Sequence, residues 1–162
     1  MSTKLTSGDN AMLDSNTLKL VFASATVNEM ITQYLAMMLD KKGYQLISVS
    51  RLQFLSALDC GVNIGSDIAR KLNISRQMVA KSVKELCEAG YLQQQAGVGR
   101  QKLIMFTPLG EQLIAQARAL LADLDQVFQQ QLSYNSLVET LSHLDNMQTA
   151  MSELLALPSN DK

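Results

Sequence analysis

The side chains with most to offer chemically lie between Ser66 and Lys102. Seven cations fall in that stretch, Arg70, Lys71, Arg76, Lys81, Lys84, Arg100 and Lys102, against three carboxylates, Asp67, Glu85 and Glu88. The rest of the chain carries seven basic and twelve acidic residues, so a net charge of −1 hides a positive segment in an acidic protein. Such a segment fits a polyanion, because neutralised phosphates release their counterions. A solvated helix face would carry the same charges, so the local pattern has to decide. Arg76 has the fork that pairs with a guanine edge, and Gln77 the amide that pairs with adenine. Ser75 and Lys81 suit phosphate oxygens. Arg100, in Ala96-Gly97-Val98-Gly99-Arg100, stands at a Gly-flanked tip from which it can enter a minor groove or grip a backbone.

These side chains need a rigid carrier, and the surrounding periodicity supplies one. Residues 66–72 read as a short helix burying Ile68, Ala69 and Leu72. Asn73 tolerates a left-handed backbone and suits the turn that follows. Ser75 then caps a second helix that turns Met78, Val79, Val83, Leu86 and Cys87 inward and stops near Gly90. Ser75, Arg76, Gln77, Ala80, Lys81 and Lys84 are left facing outward, at or near the end that enters the major groove in helix-turn-helix proteins. That end also offers free amides and a positive dipole. Next come Tyr91–Gln95, the loop Ala96–Arg100, and Lys102–Phe106, a hairpin with a Gly-rich tip.

Longer elements flank this head. Leu18, Val21, Phe22, Ala25, Met30, Ile31, Tyr34, Leu35, Met38 and Leu39 mark a long helix, with Ser15 or Asn16 as cap and Lys41-Lys42-Gly43 as its stop. Tyr44–Val49 reads as a short extended run. Ser50 and Gln53 then form a capping box for a helix with Leu52, Leu55 and Leu58 inward, ending at Gly61. Thr107-Pro108 opens another helix, whose stripe from Leu109 to Phe128 continues to about Gln131. A capping box at Ser136 and Glu139 starts a last helix burying Leu137, Leu141, Leu144, Met147, Met151, Leu154 and Leu155. Residues 1–14 are polar and irregular and read as a mobile tail.

The run Ser66-Asp67-Ile68-Ala69-Arg70-Lys71-Leu72-Asn73-Ile74-Ser75-Arg76-Gln77-Met78-Val79, followed by Leu86-Cys87-Glu88-Ala89-Gly90-Tyr91-Leu92, resembles the MarR family of transcriptional regulators. Gly99-Arg100 and Phe106-Thr107-Pro108-Leu109-Gly110 are similar to that family's wing arginine and its Leu-Thr-x-x-Gly start of the fifth helix. The resemblance implies a homodimer built from the first, fifth and sixth helices on a pseudo-palindromic operator. It also implies release by small phenolic or lipophilic compounds or by cysteine oxidation. Three positions depart from the pattern: Val98 where an aspartate often braces the wing arginine, Ile64 where a hydroxyl often caps, and Phe106 for the usual leucine.

Other chemistries find little support in the sequence. The chain has 162 residues, 47% of them hydrophobic, with 8 Gly and 2 Pro, which excludes a fibrous or wholly disordered protein. It has no apolar run near the ~18 residues of a membrane span, and its start lacks a secretory pattern. A soluble, cytoplasmic protein without a membrane partner is therefore expected. His143 is the lone histidine, and Cys60 and Cys87 have no metal-type spacing. With no phosphate loop, nucleophile motif or carboxylate pair, neither enzyme activity nor a metal or cofactor is expected. Methionines and aromatics on the long helices, Tyr34, Met37 and Met38 among them, could line an adaptable effector pocket.

The resulting expectation is a mainly α fold with a small β-hairpin wing, a winged helix-turn-helix with flanking dimerisation helices. Residues 44–106 would form the DNA-binding domain, and 15–43 with 107–157 the dimerisation region. The apolar stripes outside the winged domain are too large to leave wet, since each buried Leu or Ile is worth about 1.5–3 kcal/mol. The function expected is a dimeric, sequence-specific regulator of double-stranded DNA, a repressor released by a small effector. Its site would be Ser75, Arg76, Gln77, Lys81, Lys84, Arg100 and Lys102. Two rivals stand beside it: a winged-helix module that holds a protein partner, and a regulator whose input is oxidation of Cys60 or Cys87.

Overall fold

Hydrophobic spacing and caps set the order of elements, and most appear where the sequence puts them. The computed structural model describes residues 15–99 and 101–156, which fall into two compact units, one ending at Arg118 and one beginning at Ala119. The first unit opens with α1 (Asn16–Lys41), capped by Ser15, whose hydroxyl accepts from the Leu18 amide at 3.3 Å. Its end is set by Gly43 at φ 91°, a left-handed stop that costs glycine little. Leu35 and Leu39 turn inward, whereas Val21, Phe22, Val27 and Met30 on the earlier turns are each more than half exposed.

The expected extended run Tyr44–Val49 is instead a turn at Gln45–Leu46 followed by the cap of the next helix, with Leu46 in the left-handed region at φ 64°. The Ser50–Gln53 capping box is not formed either. Helix α2 (Val49–Asp59) begins one residue before Ser50, and Ser48 is the cap, accepting from the Arg51 amide at 3.4 Å. Its inward face is wider than the three expected leucines, because Phe54 and Ala57 are buried beside Leu52, Leu55 and Leu58.

Helix α3 (Gly65–Leu72) starts from Ile64, which offers no side-chain cap. It ends at Asn73, left-handed at φ 52° as the sequence predicts. Helix α4 (Arg76–Glu88) is followed by β1 (Leu92–Ala96) and β2 (Lys102–Phe106), an antiparallel pair with Leu92 opposite Phe106 and Ala96 opposite Lys102. The first strand lies one residue later than expected because Tyr91 closes the end of α4, its amide donating to Leu86 O at 3.0 Å. An added bridge joins Ile64 to Leu103, with the Ile104 amide on Asn63 O at 2.8 Å, so the wing is tied to the start of α3.

The core of this unit is continuous. Phe54, Leu55 and Leu58 from α2 meet Ile68 and Ala69 from α3 and Val79, Val83 and Leu86 from α4. Tyr91, Leu92 and Ile104 of the hairpin and Leu113 and Ile114 of α5 (Pro108–Leu132) complete it. Thr107 caps α5, accepting from the Gly110 amide at 3.1 Å, with Pro108 at the first helical position.

The second unit comprises the remainder of α5 and α6 (Tyr134–Ala156). The expected capping box at Ser136 and Glu139 is replaced by Ser133, whose hydroxyl accepts from the Ser136 amide at 3.4 Å, so α6 starts two residues before Ser136. The expected burial on α6 is not found within the single chain. Leu137 and Leu144 are half-buried, and Leu141, Met147, Met151, Leu154 and Leu155 are exposed. No helix among the described residues is long and apolar enough to cross a membrane. The expectations for residues 1–14 and for residue 157 lie outside the described residues.

Candidate nucleic-acid interface

The candidate reading head is built from α3, the Asn73 turn and α4. The turn is closed by the Ile74 amide on Ala69 O at 3.0 Å, which sets α4 against α3. Ser75 caps α4, its side chain accepting from the Met78 amide at 3.1 Å. Val79, Val83 and Leu86 then point into the core, at 3%, 3% and 0% exposure. Helical spacing leaves Ser75, Arg76, Gln77, Ala80, Lys81 and Lys84 on the opposite side, and all six are exposed. Met78, expected inward, is 54% exposed. The compact β-branched Val79 fills the inward position, and Met78, one residue and about 100° earlier on a 3.6-residue turn, faces the surface.

Two clefts flank this exposed row. One, of about 340 Å³, brings Arg76 and Lys102 together with Ser66 on α3 and Gln94 on the wing, over a floor that includes Val79 and Ile104. The other, of about 320 Å³, places Lys81 beside the hydroxyls of Ser48, Ser50 and Ser82, over Phe54, Leu72 and Ile74. Ser66 and Gln94 carry no local signal that would single them out, since only the approach of the wing to α3 puts them near Arg76. Lys84 stands apart, 3.8 Å from Glu88 in an exposed i,i+4 pair, an arrangement worth little in water. The wing turns through Gly99 at φ 69°, with Val98 at 90% exposure on its tip. Arg100, the expected wing contact, lies outside the described residues.

One ion pair was not legible in the sequence. Arg51 on α2 donates to Glu85 Oε2 on α4 at 2.6 Å, and from its other terminal nitrogen to Leu46 O at 2.9 Å. The partners are 34 residues apart, so no local pattern announces them. The hydrogen bond from Arg51 holds the Glu85 carboxyl below the ordinary carboxylate range, against the opposing effect of burial, with the positive charges of Arg51 and Lys81 adding to it. A lowered folded-state pKa stabilises the fold above the unfolded pKa and is lost as pH falls through the folded value. The wild-type chain should therefore outlast Glu85→Gln at neutral pH. That advantage should close below the usual carboxylate range, as read by urea midpoints across an acid series.

Cys87 is half-buried, and burial, with Glu88 adjacent, pushes its thiol pKa up, which disfavours the reactive thiolate. Cys60 is exposed. Tyr34 and Met38 are half-buried and Met37 is exposed on α1, and none of the three lines either cleft beside α4. Among the described residues no group of three or more His, Cys, Asp or Glu could hold a metal ion.

Residues 66–93, the core of this head, match a family model described as winged helix-turn-helix DNA-binding. No curated protein matches the chain. Among solved structures, a MarR transcriptional regulator from Methanosarcina mazei Go1 superposes with TM-score 0.72 at 14% identity, over 86% of this chain and 94% of that one. The chain has the MarR fold. Wild-type MarR from E. coli in its apo form gives TM-score 0.65 at 15% identity, over 80% of this chain and 93% of that one. The MepR–DNA complex of S. aureus gives 0.63 at 17%, over 80% and 96%. Within the MarR fold, the segment from Gly90 to Gly110 does structural work. The Thr107 hydroxyl donates to Gly90 O at 2.5 Å, and the Thr107 amide to Tyr91 O at 3.0 Å, pinning α5 to the end of α4.

Proposed function

We propose that the chain is a dimeric, sequence-specific DNA-binding regulator of MarR type, acting in the cytoplasm as a repressor released by a small lipophilic or phenolic effector. The observation that carries this reading is the exposed row Ser75, Arg76, Gln77 and Lys81 on a capped helix whose opposite face is locked into the core. A solved relative of the same fold is bound to DNA. In this reading residues 44–106 read the duplex, with Arg100 and Lys102 on the wing, and residues 15–43 and 107–157 dimerise. Exposed apolar side chains on α1 and, separately, on α6 support the dimer, because leaving them wet forfeits about 1.5–3 kcal/mol for each large one. A two-fold dimer then meets half-sites about one helical turn apart.

Selection of genomic fragments by the purified protein, followed by titration of the selected duplex, tests this. Arg76→Ala and Gln77→Ala should each lose about 1–3 kcal/mol of discrimination at one base pair. Lys81→Ala should weaken every duplex alike and flatten the salt slope by about one. Binding by Arg76→Ala that matches wild type at every base pair would remove the site assignment. Weak, salt-insensitive binding to all duplexes would leave the winged domain as a holder of protein partners.

A further inference from the structure

We infer that Arg51 is a positioning residue that ties the recognition helix α4 to the turn after α1, so that the aim of the reading side chains depends on that turn. The inference rests on the DNA-reading function proposed above. Among the described residues, the Arg51–Glu85 pair is the only side-chain hydrogen bond that reaches α4 from another element. Backbone bonds close the two ends of α4, the Ile74 amide on Ala69 O before it and the Tyr91 amide on Leu86 O after it, and along its length it is held by the apolar contact of Val79, Val83 and Leu86. Apolar burial fixes which face of α4 turns inward but, being non-directional, sets the fine angle about the helix axis less sharply than a directed bond does. A charge-assisted bond from a planar guanidinium fixes direction as well as distance. Base reading requires that constraint, because a side chain aimed at a base edge tolerates only about 0.5 Å of error.

Glu85 lies one helical turn beyond Lys81, on the same helix as Arg76 and Gln77. The other arm of Arg51 ends on Leu46 O, in a turn whose Leu46 is left-handed, a conformation unfavourable for a non-glycine residue. Tyr91, which joins α4 to the wing, donates its hydroxyl to Gln45 O at 3.1 Å in the same turn. Residues 45 and 46 are therefore gripped from α2 and from the α4–β1 junction, across a cleft of about 510 Å³ that Glu85 and Glu88 also line. A change in the turn is transmitted through Arg51 to the rotation of α4, and a change in α4 is transmitted back.

The test measures wild type, Arg51→Ala, Arg51→Lys and Glu85→Gln against the selected duplex and a scrambled duplex of equal length in one salt. Hydrogen exchange of the free proteins is followed in parallel. Arg51→Ala should weaken the selected duplex about tenfold and leave the scrambled duplex and the salt slope unchanged. Arg51→Lys keeps the charge but cannot bridge both acceptors, so it should lose discrimination as well. Adding Glu85→Gln to Arg51→Ala should cost nothing further. Amides of α4 and of residues 43–47 should exchange faster in Arg51→Ala, with those of α1 unaffected. Parallel loss on both duplexes, full rescue by lysine, or unchanged exchange in α4 would each overturn the inference. A wild-type protein that selects no sequence would defeat the DNA reading, and the exchange measurement would then decide the tie on its own.

Discussion

Alanine at Gly110 is expected to be among the most damaging single substitutions in the chain. A Cβ at that position would lie 2.0 Å from Tyr91 O, 3.0 Å from Tyr91 C and 3.1 Å from Phe106 Cδ1. The first two obstacles are backbone, so no change of rotamer relieves them. The chain cannot withdraw easily either, because Thr107 pins this segment through Gly90 O and Tyr91 O and caps α5 through the Gly110 amide. The start of α5 must lift off the α4–β1 junction, at about 3 kcal/mol, the upper end for overpacking. At this chain length that corresponds to a fall in Tm of roughly 6–12 °C at fixed protein concentration. A melting curve that coincides with wild type would show that the close approach is not a constraint in solution.

Phe54→Ala should be comparably severe by the opposite mechanism. Phe54 is 1% exposed, lies in the same core as Val79, Val83 and Leu86, and floors the cleft beside Lys81. Removing a buried aromatic ring costs about 3–5 kcal/mol through lost transfer energy and the cavity left behind. The urea midpoint should fall with the m-value unchanged, and Phe54→Leu should recover most of the loss. Because the void would open beneath α4, the folded fraction of Phe54→Ala should also bind a selected duplex less tightly. A loss under 1 kcal/mol would mean that the surroundings collapse onto the site.

What the sequence made legible was local. The left-handed Asn73, the Ser75 cap and the Thr107-Pro108 start follow from the chemistry of one or two residues, and the structure places them as read. The outward row on α4 follows from the spacing of Val79, Val83 and Leu86 alone. Failures came where several local solutions compete. Ser48 and Ser50 both offer a hydroxyl, as do Ser133 and Ser136, and in each case the earlier one accepts the capping bond. Phe54 escaped because a leucine stripe already accounted for α2, and burial of a wider arc depends on how many elements converge on it. The Arg51–Glu85 pair was out of reach for the same reason: only the folded chain brings α2 and α4 together.

The uncovered flank of α6 bears on how such a protein would be held in a cell. On the dimer reading, folding of that helix is coupled to encounter with a second chain, and a coupling of this kind makes melting temperature a function of dose. Freshly made subunits would stay open to proteolysis until enough of them accumulate to meet. On the same reading, occupancy of a two-fold DNA site would switch on over a threshold in copy number, set by the greasy side of one helix.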